Sequence, residues 1–572
     1  MYQSPIPNAI DAEQARLRAR RWVVVGLNLA GMAALAFAMD RLLESRGWSV
    51  AAILFMTLYL ISLPWTLLSF WNAVIGFVIL RLVRDPLAYT NPAIAGTPAD
   101  SAIVTRTAIC LCVRNEDVAA TAARLGWMIE SVTATGEARH FDFHVLSDTS
   151  RAEVAEGEVL MIGAMRARFP HVDIHYRRRE RNTGYKAGNL EEFASRCRDD
   201  YDHMIVLDAD SRMSGAAMLR LVRAMQANPA LGILQTLVVG TPSESAFTRI
   251  FQFGMRHGMR VQTTGGAWWQ GRAGPYWGHN AILRIAPFVD HCKLAPIPGK
   301  GPLRGAILSH DQVEAALMRG AGWDVRVISD EYDSWEENPT NLPDFIKRDL
   351  RWCNGNLQYI YLLGMKGLTG MGRFQLVNAI AMYVGGPMNL VMLAAGLVIT
   401  LTSKTIDAAA SLAFALYGIA LLLGFLPRLL GVIDILLRGE AWRYGGAGRM
   451  MVGCALDWIF STIIGPIMMI AQTMFIGGLA FGRRVIWDAQ NRADRSISAR
   501  EALHGLWPQL AFGLVATGVL AGFAFRTLIW AGPTIVPCLL AVPFTVLTSM
   551  PRVGRALARA RICAIPEEVA SS

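Results

Sequence analysis

The chain has 572 residues, of which 53% are hydrophobic and only 17% charged, a balance that excludes a small soluble domain and points to a membrane protein with room for roughly two or three domains. Its formal charge of +10 does not call for nucleic acid, because the arginines cluster beside apolar runs where anionic lipid attracts them. The eight cysteines are scattered through apolar segments, and Cys110 and Cys112 alternate along a strand-like run, so neither a disulfide framework nor a zinc site is expected.

Residues 1–21 read as a basic tail, with Arg16, Arg18, Arg20 and Arg21 leading into a first apolar span at 22–39. No small-residue cleavage site follows, so this is not a signal peptide. A second span at 50–80 is long enough to tilt, or to bend at Pro64, and Arg81 and Arg84 follow it. Basic flanks on both sides place the two ends of this pair (22–82) in the cytosol.

From 83 to 372 no apolar run is long enough to cross a membrane, and short strands alternate with helical stretches, the pattern of an α/β domain. Strands are expected at 107–113, 141–147, 172–176 and 204–210, and helices open after Asn115-Glu116-Asp117, after Asp148 and within 182–189. Beyond 373 the chain is mostly apolar to 551, with runs at 374–402, 408–426, 450–481, 509–525 and 528–550. Gly465-Pro466 interrupts the third of these, which reads as a broken helix, a hairpin or a re-entrant element. Arg483, Arg484, Arg492, Arg495 and Arg500 follow it, and 552–572 is again a basic tail. Flanking charge therefore favours about six crossings here and eight in all, with six in all plus an interfacial or re-entrant segment as the alternative.

The chemistry is concentrated at strand ends. Met204 to Asp210 is an apolar run ending in Asp208 and Asp210, and carboxylates at i and i+2 of a strand share a side, where both can approach a hard cation carrying a diphosphate. The same pattern also serves as a turn or helix cap. Asn115 and Glu116 can bind a uracil edge, Asp148 a base or ribose, and Lys186 a diphosphate; the plainer readings are a charged first helical turn and a solvated lysine. Ser309-His-Asp-Gln312 reads as a capped helix start, with Asp311 complementing the helix dipole. Residues 343–363 carry Lys347, Arg348, Arg351 and Trp352 at helical spacing beside apolar side chains, an amphipathic helix suited to a membrane surface. Trp268 to His279 is glycine-rich and reads as a loop with exposed rings, either a sugar-stacking platform or a membrane-interface anchor.

Taken in order, Arg114-Asn-Glu116, Leu146-Ser-Asp148, Lys186-Ala-Gly-Asn189, Asp208-Ala-Asp210, Ser309-His-Asp311 and Arg348-Asp-Leu-Arg-Trp352 resemble the motifs of the processive, membrane-embedded family 2 glycosyltransferases. Trp277-Gly-His-Asn280 and Arg351-Trp-Cys-Asn-Gly-Asn356 make the chain most similar to the glucans biosynthesis glucosyltransferase H group, over about residues 20 to 550. That resemblance implies a GT-A type cytosolic catalytic domain inserted in an α-helical transmembrane bundle of the bacterial inner membrane, with both termini cytosolic. It implies polymerisation of glucose from UDP-glucose into a β-1,2-linked periplasmic glucan, extruded across the bilayer as it grows.

By the same resemblance Asp311 is the general base. Asn115, Glu116, Asp148, Lys186, Asn189, Asp208, Arg348, Arg351 and Trp352 bind the donor, Asp210 holds Mg2+ or Mn2+, and Trp277, His279 and Asn280 face the acceptor. The usual family pattern has Glu where this chain has His310, and Gln where it has Arg348. Acyl carrier protein and periplasmic glucan-modifying proteins are implied as partners. The short tails suggest that tail-borne regulation is missing, and the short C-terminus leaves no room for a cyclic-dinucleotide-binding domain. Two rivals remain: the same fold making cellulose, hyaluronan or a lipid-linked sugar, and a transporter whose soluble domain only senses a nucleotide.

Overall fold

The structure, a computed structural model, describes residues 7–402, 410–483 and 495–570. Arg484, Arg492 and the first residues of the 408–426 run lie outside the described residues. Helix α1 (Pro7–Arg46) continues without a break from the expected basic tail into the first apolar span. Its arginines are not a free tail: Arg20 donates to the Trp268 carbonyl at 3.0 Å, and Arg21 to those of Trp269 and Gln270 at 3.2 and 3.0 Å. Cations at a helix C-terminus satisfy carbonyls that have no partner within the helix. Helix α2 (Val50–Leu82) runs through Pro64 and is capped by the Ser49 side chain.

The domain between the second and third apolar helices is built on one eight-stranded sheet of β1 (Thr107–Val113), β2 (Phe141–Ser147), β3 (Ile174–Arg178), β4 (His203–Asp208), β5 (Arg212–Met213), β6 (Leu231–Gly240), β7 (Ala281–Arg284) and β8 (Asp324–Glu336), in the order β3-β2-β1-β4-β7-β6-β8-β5. Strands β3, β2, β1 and β4 are parallel, and β7 lies antiparallel between β4 and β6. Strand order reverses at β1, which pairs with β2 on one side and β4 on the other, so their C-terminal tips open a crevice at a topological switch point. The register sets Cys112 beside Asp208 and Val113 beside Ser147, so the motif-bearing loops start level with one another.

Helix α3 (Tyr185–Arg196) follows β3, and the long helix α4 (Ala246–Gln270) follows β6. Helix α5 (Asp311–Gly320) precedes β8, and α6 (Leu342–Gln358) follows it, capped by Asn341. One apolar core packs Met128, Ile129 and Val222 on one face of the sheet, and another packs Leu190, Phe193 and Met318 on the opposite face.

Helices α7 (Gly370–Thr402), α8 (Ala410–Leu437), α9 (Ala447–Ala480), α10 (Ala499–Phe523) and α11 (Leu528–Ser549) complete the apolar region. With α1 and α2, seven described helices are long and apolar enough to cross a membrane, where the sequence led us to expect eight crossings. Gly465-Pro466 does not break α9. Its first turns pack against α4, where Gly453 meets Phe253, and its last turns place Phe475 and Leu479 against Cys353 and Leu357 of α6, beside Leu303. Ile497 donates to Ser549 at 2.9 Å, joining the start of α10 to the end of α11.

Helix α4 is a crossbeam beneath the sheet. Its Gly254 faces Asp457 of α9, His257 meets Gly431 of α8, and Gly265 meets Asn72 of α2 so closely that a side chain at Gly76 or Gly265 would collide with the opposite backbone. Asp434 of α8 pairs with Arg81 of α2 and with Arg260 of α4 at 3.0 Å. A final short helix, α12 (Pro566–Ala570), returns to the crossbeam: Arg256 and Arg249, both buried, pair with Glu567 and Glu568. Trp335 at the end of β8 donates to Glu567 at 3.0 Å.

Candidate active site

The tips of β1, β2 and β4 form one wall of a cavity of about 470 Å³ that is closed by the start of α5, by α6 and by the end of β8. Glu116, Asp148, Lys186, Asn189, Asp208, Asp210, Trp277, His279, Asp311, Arg348, Arg351 and Trp352 all line it. Its side nearest the apolar helices is formed by Met255 and Met259 of α4 and by Met382 and Tyr383 of α7.

The two carboxylates of the Asp208-Ala-Asp210 motif meet by a turn rather than by strand alternation. β4 ends at Asp208, where Ser211 N–H donates to the Asp208 carbonyl at 2.9 Å and the Asp208 N–H donates to Ser211 Oγ at 3.1 Å. Both nonetheless reach the cavity. Lys186 enters from α3, with its Nζ bonded to Asp208 and, at 2.7 Å, to the Gly278 carbonyl. Burial works against this ammonium, but the Asp208 carboxylate outweighs it and holds the lysine above its ordinary value, so it remains a cation.

At the second strand tip Arg179 grips Asp148 with two hydrogen bonds, of 2.7 and 2.8 Å, a contact that the sequence did not reveal. At the first, Asp117 rather than Glu116 caps the following helix, by a 2.7 Å bond from the Ala120 N–H, which leaves Glu116 on the cavity wall. Asn115 is not on that wall. It takes a left-handed conformation, φ 55°, and its side-chain oxygen accepts from the N–H groups of Ser150 and Arg151, each at 3.0 Å, so it ties the first loop to the second.

Asn280 is likewise set back, fully buried at φ 50°, with its amide donating to Ser334 Oγ at 2.9 Å and to the Trp335 carbonyl at 3.2 Å. Asn189 is on the wall, accepting from Arg177 and donating to the Leu146 carbonyl at 3.3 Å.

The aromatic stretch corrects a second expectation. Trp268, Trp269 and Gln270 are the last turn of α4, not an exposed loop, and Trp269 is buried with its indole N–H donating to Asn72 at 2.9 Å. Only Gly271 to Asn280 is irregular, and from it Trp277 and His279 face the cavity. Glu336, at the end of β8, joins them with its carboxylate 3.5 Å from His279 Nε2; burial raises its proton affinity. Sequence reading missed it because β8 reaches β4 only through the sheet order.

Ser309 does not cap α5. The N-cap position is His310, with no side-chain cap, and the Ser309 carbonyl accepts from Tyr359 at 2.8 Å. Asp311 opens the helix over Gly278, where its Cβ would lie 3.3 Å from a methyl group placed there. Burial raises the proton affinity of this carboxyl group, a direction that suits a general base. On α6, Arg348 is buried with its guanidinium 4.8 Å from the Trp352 ring centroid, whereas the Trp352 ring itself is half exposed.

Asp208 and Asp210, on the same wall as Glu336, are oxygen donors that suit Mg2+ or Mn2+ better than a soft metal. A second group of metal-ligating side chains, Asp142, His144 and His175, lies on β2 and β3, where Arg106 and Tyr201 already occupy Asp142.

Residues 108–291 match the family described as Glycosyl transferase family 2, and residues 203–427 match Glycosyl transferase family group 2. Glucans biosynthesis glucosyltransferase H of Dickeya dadantii (strain 3937) is 34% identical over 588 residues, covering 96% of this chain and 69% of that protein. The protein of the same name from Pseudomonas putida (strain ATCC 700007 / DSM 6899 / JCM 31910 / BCRC 17059 / LMG 24140 / F1) is 34% identical over 611 residues, covering 99% and 71%. Among solved structures, a mannosyltransferase from Pyrobaculum calidifontis in complex with GDP-Man and Mn2+ is similar at a TM-score of 0.39 and 15% identity, over 65% of this chain and 98% of that one. With its identity to the relatives sustained across nearly its whole length and more than two thirds of theirs, the chain belongs to the glucans biosynthesis glucosyltransferase H family of family 2 glycosyltransferases.

Proposed function

We propose that this protein is an inverting, processive glucosyltransferase that polymerises glucose from UDP-glucose into a β-1,2-linked glucan and passes the chain across the inner membrane. The observation that carries this reading is the meeting of Asp311 with Asp208, Asp210 and Lys186 in a single cavity whose far side is built from α4 and α7. A nucleotide sensor has no use for a buried carboxylate of raised proton affinity opposite its phosphate site.

Glu116 and Asp148 bind the nucleoside, with Asp148 held in place by Arg179. Lys186, Arg348 and Arg351 hold the diphosphate, and Trp352 backs Arg348. Asp210, with Asp208, would hold the divalent cation, which when bound supplies positive charge to the diphosphate. Trp277 and His279 position the acceptor sugar, the indole face stacking on its apolar face. Asp311 takes the proton from the acceptor hydroxyl as that oxygen bonds to the anomeric carbon. The anomeric carbon–UDP bond breaks on the opposite face, and the electron pair leaves with UDP. An α-linked donor then gives a β-linked product.

The apolar Met255, Met259 and Met382 continue the cavity toward the bilayer, a path along which the polymer leaves. Because both ends of α9 pack on the catalytic side, α9 lies along the interface; the other six long helices then cross as hairpins, and the two termini and the catalytic domain share the cytosolic side. Contacts of Glu13 with Arg326 and of Glu568 with Arg249 support that placement of the termini.

The test is transfer of labelled glucose from UDP-glucose in inverted membrane vesicles with Mg2+ or Mn2+, followed by linkage analysis of the lumenal polymer. A β-1,2-linked lumenal product is expected, and Asp311→Asn should keep UDP binding while losing transfer by about 10²-fold or more. Another linkage would move the substrate assignment to another β-glycan, and UDP binding without transfer from any UDP-sugar would overturn the enzymatic reading.

A further inference from the structure

We propose that His310 and Glu314 form a buried ion pair that acts on Asp311 from behind the cavity wall, keeping the base ionised at working pH. The inference rests on the reading of Asp311 as the general base. His310 Nδ1 lies 2.8 Å from Glu314 Oε2, one helical turn along α5, with the two side chains 10% and 2% exposed. Neither residue lines the cavity, whereas their neighbours Ser309, Asp311 and Gln312 do. The pair therefore touches no substrate and is a positioning element.

The Glu314 side chain is almost fully enclosed, and its hydrogen-bond partner is His310 Nδ1. An imidazole that donates from Nδ1 to Glu314 suits this contact, and the neighbouring carboxyl group favours its charged form. Burial opposes the charge, but Glu314 outweighs it and raises the imidazole above its ordinary value. The consequence falls on the next residue. Burial pushes the Asp311 carboxyl up, and the His310 cation pulls it back down.

The other groups facing this site do not replace that cation. Lys186, from α3, also pulls Asp311 down but less than His310 does, and it is committed to Asp208 and the Gly278 carbonyl. Tyr276 and Tyr359 are neutral phenols held far above their ordinary range by burial, as is the Cys292 thiol beside Glu314. The Tyr276 hydroxyl, fully buried, has no hydrogen-bond partner.

Transfer measured from pH 5 to 9 on purified protein, with UDP binding followed in parallel, tests the inference. For the unaltered protein the rate should fall on the acid side as Asp311 protonates. In His310→Gln this limb should move up by about one pH unit, with a loss of about tenfold at pH 6 and little loss on the alkaline plateau. Glu314→Gln should move it in the same direction but less, because an anion is removed along with the reason for His310 to be charged. His310→Lys, which restores a cation, should return the limb toward its original place.

A limb that stays put while the rate falls evenly at every pH would overturn the proposal and leave His310 a structural N-terminal residue of α5. Should His310→Gln no longer bind UDP, Glu314→Gln gives the same decision by itself. Absence of transfer by the unaltered protein would count against the proposed function, whereas full transfer with an unmoved limb in the variants counts against the ion pair alone.

Discussion

The guanidinium of Arg179 meets the Asp148 carboxylate in a two-pronged contact of 2.7 and 2.8 Å, and both side chains are almost fully enclosed. The arginine also reaches Asn182 at 3.1 Å and the Tyr185 carbonyl at 2.9 Å, so one residue fixes the donor-side carboxylate and the loop that opens α3. Arg179→Ala should raise KM for the donor by about tenfold or more, because it leaves an enclosed carboxylate without its partner. Arg179→Lys, which keeps the charge but not the fork, should recover only part of this loss. Initial rates against UDP-glucose concentration decide the point.

Asn280 and Trp277 should separate cleanly. Asn280→Ala removes two buried hydrogen bonds to β8 and puts a less tolerant residue at a left-handed position, which should cost about 1 to 3 kcal/mol of stability. Trp277→Ala should leave thermal unfolding nearly unchanged and weaken acceptor use. Unfolding temperature measured beside acceptor KM on the two variants tests the division.

Glu567 gives a pH dependence with a definite sign. Burial pushes this carboxyl toward protonation, but the bonds from Arg256 and Trp335 outweigh it and hold it below the ordinary 4.5. A carboxyl depressed on folding contributes stability that is fully present above its unfolded value and is lost as pH falls through the folded one. The docking of α12 should therefore be intact at pH 6 and loosen as the medium is taken below about pH 4.5. Hydrogen exchange of residues 562–570 should rise over that interval, and Glu567→Gln should show the faster exchange already at pH 6.

Gly265 is a position where space decides the outcome. Its Cα faces the Asn72 carbonyl and the Gly76 N–H of α2, with no room for a methyl group. Gly265→Leu should abolish the monodisperse fraction recovered from detergent-solubilised membranes, since a backbone crossing cannot yield as a side chain can. Gly266→Ala, one residue along, where a methyl group meets nothing closer than the Gln270 side chain at 3.8 Å, should leave most of that fraction intact.

The strand tips were legible because apolar runs that end abruptly in carboxylates, lysine or asparagine leave few arrangements other than a switch-point crevice. Asp148, Lys186 and Asp208 were found in this way and Asp311 only through the family resemblance, and all four line one cavity. What escaped is what tertiary closure supplies. Arg179 and Glu336 look like ordinary surface charges until β3 and β8 are placed in the sheet. Helix α4 was not anticipated: Phe247, Ile250 and Phe253 recur at helical spacing on its buried face, but Gly254, Gly258 and Gly265 and many polar residues lie between, and its close crossings at those glycines are visible only in the fold. The basic start of the chain read as a tail for a similar reason: the carbonyls that Arg20 and Arg21 satisfy lie about 248 residues further on.

The docking of α12 also has a consequence in time. Glu567 and Glu568 meet Arg256 and Arg249 across 311 and 319 residues of chain, and Trp335, next to Glu336 on the cavity wall, takes hold of Glu567 as well. During synthesis the sheet and the crossbeam are made long before these glutamates leave the ribosome. Until then Arg256 has Glu331 of β8 as a partner, whereas the enclosed Arg249 waits for Glu568 until the last apolar helices have been made. The contact between α12 and the end of β8, next to the cavity wall, is therefore completed only after the last apolar helices have been made.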